Sequence, residues 1–310
     1  MSENRLRESY LEGEIDLKLL GRALWASKLT IFIFTFAIGT LATIFAITRP
    51  NIYQSEALLA PVESEDRGGL ASLAGQFGGI ASLAGLNLGS GSVSNVNLAI
   101  EILKSKRFIS EFIEKHDILI ELMAVDGWVM GTGELSIDND IYDVEKKKWI
   151  RDVNPPLKSK PSSQEAYKEF RKIFFVFTEE ETGMVRISIE HYSPIIAQQW
   201  VNLLVKDIND EMKLRDVQEA EKSIEFLKGQ IENTQVTDIK SVLYSLIEEQ
   251  AKTIMFANVR DEYVFKTIDP PLVAEEKIKP KRAVMSILGF ILGGLIGGIF
   301  VLYRNLRKPV

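Results

Sequence analysis

The chain has 310 residues, 46% of them hydrophobic and 26% charged, with a net charge of −6 and no cysteine. With no cysteine, an oxidising compartment has nothing to oxidise, and no nucleic-acid partner is expected of an acidic chain. The length would allow two soluble domains, but the charge is too unevenly spread for that. Residues 1–28 form a mixed-charge tail, and residues 29–48, LTIFIFTFAIGTLATIFAIT, then carry no charge at all. Residues 283–303, AVMSILGFILGGLIGGIFVLY, are charge-free as well, before a short basic tail at 304–310. A helix of about 20 residues rises roughly 30 Å, the thickness of a hydrocarbon core, so both windows predict transmembrane helices. Trp25 and Tyr303 stand where interfacial aromatic residues are found. TRPNIYQS after the first window has no small-x-small cleavage site, so that helix is expected to stay as an anchor.

Two spans place both tails on one side. Eight of the 37 basic and five of the 43 acidic residues lie in residues 1–48 and 283–310, which leaves net −9 on residues 49–282. Lys277, Lys279, Lys281 and Arg282, just before the second span, divide the local charge rule. A long segment translocates largely regardless of charge, however, so the tails are expected in the cytoplasm and the middle outside.

Within the middle, NIYQSEALLAP (51–61) alternates like a strand leaving the membrane. Residues 95–115 place Leu98, Ile102, Ile109, Phe112 and Ile113 on one helical face. Residues 125–161 read as loop and short elements, and PSSQEAYKEFRK opens a short helix with capping residues. IFFVF and MVRISIE around TEEETG predict a hairpin turning at Gly183. From Pro194 a long helix carries Val217, Ala220, Ile224, Leu227 and Ile231 as a stripe with Phe226 beside it. QVTD breaks it, and Ile239, Leu243, Leu246 and Ile254 continue the stripe on a second helix. The pair predicts an antiparallel helical hairpin, its first arm about 60 Å long. DEYVFKTIDPP gives a last strand.

The fold class is therefore α+β: two transmembrane helices flank an exported α/β base, residues 49–193 and 260–282, with a long hairpin at 194–259. Each hairpin helix has only a narrow apolar stripe, so self-association is expected.

EIDLKLLGRALW, IYQSEALLAP, LAIEILKSKRFISEFIEKH, ETGMVRISIEHYSPIIAQQWVNLLV and KPKRAVMSILGFILGGLIGG, in this order, resemble the Wzz-type chain-length determinants, polysaccharide co-polymerases of the Gram-negative inner membrane. The resemblance runs along essentially the whole chain, although its motifs are compositional. It implies a non-enzymatic regulator that forms a homo-oligomeric ring with an α/β base and a barrel of helices. Such a ring would act with a membrane polysaccharide polymerase and a lipid-linked glycan, O-antigen or a related one, and with no cofactor. Pro280, where the chain enters the second helix, is carried over. The second proline common upstream of it is replaced here by Glu275, Glu276 and Lys277. A kinase-bearing branch would need a longer cytoplasmic tail. A two-span sensor would need an output module that the short tails do not hold, and a subunit of an export assembly is a further alternative.

GGLASLAGQFGGIASLAGLNLGSG (68–91) repeats itself, but it has no lysine and none of the spacing of a phosphate loop. Leu70, Leu73, Phe77, Ile80 and Leu83 step by three and four, and the stretch is expected to be an apolar interaction surface. Glycines at 75, 78 and 79 weaken any helix there by about 1 kcal/mol each. Gly289, Gly293 and Gly297, with Gly294 and Gly298, form small-xxx-small faces suited to helix packing in lipid. Packing on the chain's own first span and contact with another subunit or the polymerase both stay open. His116 and His191 have no partners at metal-ligand spacing and are expected at the surface or a hairpin end. Glu179, Glu180 and Glu181 are expected to be solvated turn charges rather than glycosidase carboxylates.

Overall fold

The computed structural model describes residues 24–62 and 91–307, with side chains from 95 to 304 in the second range. The chain divides into two compact units. One is built from its two ends, up to Ile52 and from Lys277, and the other is Tyr53–Glu276. Leu70, Leu73, Phe77, Ile80 and Leu83, the expected interaction surface, lie outside the described residues.

The first unit is a pair of helices, α1 (Lys28–Thr48) and, at the far end of the chain, the helix Arg282–Arg307. Both are long and apolar enough to cross a membrane. Large apolar side chains such as Leu29, Phe32, Phe36, Ile287, Leu292 and Ile299 are exposed on them. That surface suits a hydrocarbon solvent and not water.

The second unit begins with β1 (Tyr53–Pro61). After it come α2 (Gly91–Lys104), α3 (Lys106–Lys115) and α4 (Leu119–Met123). The helical run expected at 95–115 is two helices. Ser105 is extended (φ −68, ψ 146), and its hydroxyl accepts from the Phe108 N–H, so it starts α3 as an N-cap. The break turns Leu98, expected on the core face, out to solvent, while Ala99, Ile102 and Leu103 are buried. Two small hairpins follow, β2 (Val125–Trp128) with β3 (Leu135–Ile137), and β4 (Tyr142–Asp143) with β5 (Lys148–Trp149). Next is α5 (Ser163–Ile173), whose capping box joins Ser162 and Glu165. The Ser162 backbone N–H, then Arg151, hold the Glu165 carboxyl below its ordinary range.

The hairpin of β6 (Phe174–Thr178) and β7 (Val185–His191) closes through Glu179–Met184, with Gly183 at φ +69, a conformation that suits glycine. Then come α6 (Pro194–Asn233), α7 (Thr237–Val259), β8 (Phe265–Asp269) and, in the first unit, α8 (Arg282–Arg307). Pro194 at the first helical position and the Ser193 hydroxyl fix the start of α6. At 40 residues, α6 is about 60 Å long.

The main sheet has the order β6-β7-β1-β8 and is antiparallel throughout. Ala57, Leu59, Val185, Ile187, Ile189, Phe174 and Phe265 are buried on one face, in a single core with Trp200, Val201, Leu204 and Ile208 of α6. Phe112 and Phe170 close the core, with ring centroids 5.5 Å apart. Beyond Met212, α6 leaves the core and packs on α7. There the stripe is half-buried, Ala220 is buried, and Phe226 and Ile239 are exposed. The α+β class holds, with two apolar helices at the ends and a long helical hairpin between them.

Candidate functional site

Three places in the two units gather the polar and small residues that function could use. In the first unit α1 and α8 lie in close contact, and the glycines set how close. A Cβ on Gly293 would stand 2.8 Å from Thr35 Cα and 2.9 Å from the Phe34 carbonyl oxygen. On Gly297 it would be 3.0 Å from Phe34 Cβ and 3.1 Å from Ile31 Cα, and on Gly289 it would overlap Ala42. Gly294 and Gly298 have more room, with nearest atoms at 3.4 Å (Thr35 Oγ1) and 3.8 Å (Leu24 Cδ2). Gly39 of α1, which sequence reading passed over, completes the seam, because a Cβ there would overlap the Phe290 ring. Its signal was present as the one glycine among 20 charge-free residues. The Thr35 and Thr43 hydroxyls donate to Ile31 and Gly39 carbonyls of their own helix, each at 2.8 Å. The helix pair thus presents little polarity to its surroundings.

Pro280 belongs to the segment that leads into α8. Ile52 and Lys279 form an antiparallel bridge there, with Ile52 N–H donating to Lys279 O at 3.0 Å. Arg282 Nη2 donates to Arg49 O at 3.3 Å and to Asn51 Oδ1 at 3.2 Å, while Lys277 Nζ donates to the same Asn51 oxygen at 3.1 Å. A cation over the last carbonyls of α1 also complements its dipole.

The third place is the foot of the helical hairpin. Asn209, buried on α6, receives the backbone N–H groups of Tyr263, Val264 and Phe265 on its Oδ1 at 2.9, 2.8 and 3.0 Å. Its Nδ2 donates to Val205 O and Phe265 O. Two residues earlier, buried Asp207 accepts from Lys115 Nζ at 2.7 Å and meets His116 Nε2 at 2.8 Å, so α3 is tied to the same helix. Arg107 pairs with Glu211 on the same two helices. These are joints between elements. They tie α3 and the residues before β8 to α6.

The histidines differ in setting. His116 is in this ion-paired joint. His191, expected at the surface or a hairpin end, stands at the end of β7 but is buried, its ring centroid 5.1 Å from that of Trp200. Its Nδ1 accepts from the Ser193 N–H at 3.0 Å, which assigns the proton to Nε2, donated to Glu121 O at 3.1 Å. Burial pushes its pKa below the ordinary 6.5, against the weaker opposing effect of the Glu121 and Ser193 bonds. The neutral ring is thus the folded form. Its contribution to stability is complete above the unfolded pKa and is lost as pH falls below it. The urea midpoint of the full-length chain is expected to drop between pH 6.5 and 5, with a slope of up to about 1.4 kcal/mol per pH unit. His191→Gln is expected to flatten that slope, and an unchanged slope in the variant would assign it to other groups.

In the TEEETG turn, Glu179 accepts from Arg186 Nη2 at 2.6 Å, and Arg186 reaches Glu56 as well. The Arg186 and Thr182 hydrogen bonds hold the Glu179 carboxyl below its usual range. A glycosidase acid is shifted the other way. Among the described residues no three His, Asp or Glu side chains are grouped to hold a metal.

Residues 13–116 match the family model described as Wzz, chain length determinant protein. The matched stretch takes in α1, β1, α2 and α3, and so includes Gly39 and Asp207's partners Lys115 and His116. No curated protein matches the chain. Two of the solved structures similar to it are polysaccharide co-polymerases. A full-length bacterial polysaccharide co-polymerase is 13% identical over 94% of this chain and 97% of its own, with a TM-score of 0.39. A fragment of WzzB, the polysaccharide co-polymerase from Salmonella Typhimurium, is 10% identical over 74% of this chain and 100% of its own, with a TM-score of 0.29. At such TM-scores nothing is carried over from either one.

Proposed function

We infer that this protein regulates the chain length of a surface glycan, lipopolysaccharide O-antigen or a related polymer, as a scaffold and not as a catalyst. The observation that carries the reading is the Wzz match over residues 13–116. In this reading the chain sits in a bacterial inner membrane on α1 and α8, with residues 1–28 and 304–310 in the cytoplasm and Tyr53–Glu276 in the periplasm. Copies associate into a ring that works beside a membrane polysaccharide polymerase and its lipid-linked glycan. The hairpin supports association, because Phe226, Val242, Tyr244 and Met255 are more than half exposed along α6 and α7. Large apolar groups in that number on a slender helix pair favour neighbours. The glycines at 289, 293 and 297 then act chiefly within one copy, and Gly294 and Gly298 face less crowded surroundings.

The test is a gel of host lipopolysaccharide with and without the gene. Deletion is expected to turn a clustered band distribution into a random ladder, and re-expression to restore the cluster. An unchanged ladder would overturn the O-antigen assignment.

A further inference from the structure

The described part of the membrane unit contains no aspartate or glutamate, yet five cations gather in sequence around one end of the helix pair: Arg49 after α1, and Lys277, Lys279, Lys281 and Arg282 before and at the start of α8. Residues 277–281 form no helix, and Lys279 makes an isolated antiparallel bridge to Ile52. Lys277, Lys279 and Lys281 are exposed, whereas Ile278 and Pro280 between them are half-buried. The pairing of Ile52 with Lys279 holds this strip in place, and Asn51 is a shared acceptor for Lys277 and Arg282. The cations at the two ends are already oriented. Arg49 lies over the Phe45 ring at 4.3 Å, and Arg282 covers the end of α1. Even so, Arg282 Nε is a buried donor with no acceptor in the protein. The acids nearest in sequence, Glu275 and Glu276, leave the cluster with a surplus of positive charge. In the orientation proposed above the cluster is on the translocated side, where the distribution of Lys and Arg in membrane proteins runs against it.

We propose that this strip is a binding site for lipid phosphate at the bilayer surface, with Lys277, Lys279 and Lys281 as its exposed contacts and Arg49 and Arg282 as its fixed ends. Three exposed ammonium groups within five residues reach several phosphate oxygens at headgroup level. The apolar side of the strip, Ile278 and Pro280, stays with the protein. The phosphate can belong to an anionic phospholipid or to a prenyl diphosphate carrier, which offer the same chemistry. The site rests on the two-span reading but not on the glycan or the polymerase.

The test uses the full-length chain in mild detergent, titrated with phosphatidylglycerol, phosphatidylcholine or a long-chain prenyl diphosphate and read by native mass spectrometry. Each cation near an anionic surface contributes roughly a five-fold preference, so three lysines together can supply up to about a hundredfold. Wild-type protein is expected to retain at least one of the two anionic phosphate lipids at least about tenfold over zwitterionic phosphatidylcholine, with the preference falling in high salt. The variant Lys277→Gln/Lys279→Gln/Lys281→Gln is expected to cut that preference at least about tenfold. Lys146→Gln/Lys147→Gln/Lys148→Gln, which removes the same charge from the body, is expected to leave it unchanged. Retention of both phosphate lipids identifies headgroup phosphate in general, and retention of the prenyl diphosphate alone identifies the carrier. Equal retention of phosphatidylcholine, or an equal loss in the body variant, would overturn the site. Because the assay contains neither polymerase nor glycan, such a result would leave the gel experiment standing.

Discussion

Asn209→Leu is expected to lower the thermal midpoint of the full-length chain by about 10 °C. Leucine has the same branching and the same number of side-chain heavy atoms as asparagine, so the change chiefly removes hydrogen bonding. It leaves the N–H groups of Tyr263, Val264 and Phe265 without the oxygen they share, and Phe265 O without the Nδ2 donor. Val264 and Phe265 are buried, so water does not replace what is lost. Each buried group left unsatisfied costs about 1–3 kcal/mol, and a total of roughly 3–5 kcal/mol follows. Asn209→Asp keeps the acceptor and loses only the donated bonds, so it is expected to fall between the two. Circular dichroism melts, together with hydrogen exchange at residues 263–265, check this. A leucine variant melting within about 2 °C of wild type, with those amides still protected, would show that the joint is held by packing alone.

Gly293→Ala is expected to part α1 from α8. The added methyl meets backbone, Thr35 Cα and the Phe34 carbonyl, and backbone cannot turn aside as a side chain can. Overpacking of this kind costs about 1–3 kcal/mol, enough to deplete a close-packed pair by roughly tenfold. Gly294→Ala, whose methyl would lie 3.4 Å from Thr35 Oγ1, is the control. The natural chain has no cysteine, so a Phe34→Cys/Phe300→Cys pair reports the contact without background. These two rings lie 5.0 Å apart at the seam. Cross-linking by a short bis-thiosulfonate within one chain is expected to survive Gly294→Ala and to fall several-fold in Gly293→Ala. Equal cross-linking in both would mean that the glycines do not set the distance between the helices.

What could be read from the sequence was what depends on neighbours along the chain. The two charge-free windows, the turn at Gly183, the helix start at Pro194 and the break after Thr234 all follow from local chemistry. The break at Ser105 was local too, a capping residue between two lysines, but the apolar spacing runs through it and hid it. The features missed all depend on pairing across long separations. His191 is buried because β7 lies against β1 and under Trp200. Gly39 matters because Phe290 lies opposite it, and Asn209 because β8 returns beside α6. Apart from Gly39's place as the one glycine of its charge-free window, nothing around these residues in sequence marks them. The glycines of α8 announced a packing face, but only the structure shows that 289, 293 and 297 crowd α1 more closely than 294 and 298 do.

The arrangement of the main sheet has a consequence in time. Strand β1 is the inner partner of both β7 and β8, and β8 is made roughly 200 residues after it. At ordinary rates of synthesis those residues take about 10–40 s, during which β1 has an open edge. The first strand of the unit therefore waits for the last. Its completed form, with the Asn209 joint locked onto residues 263–265, can arise only once β8 has been made.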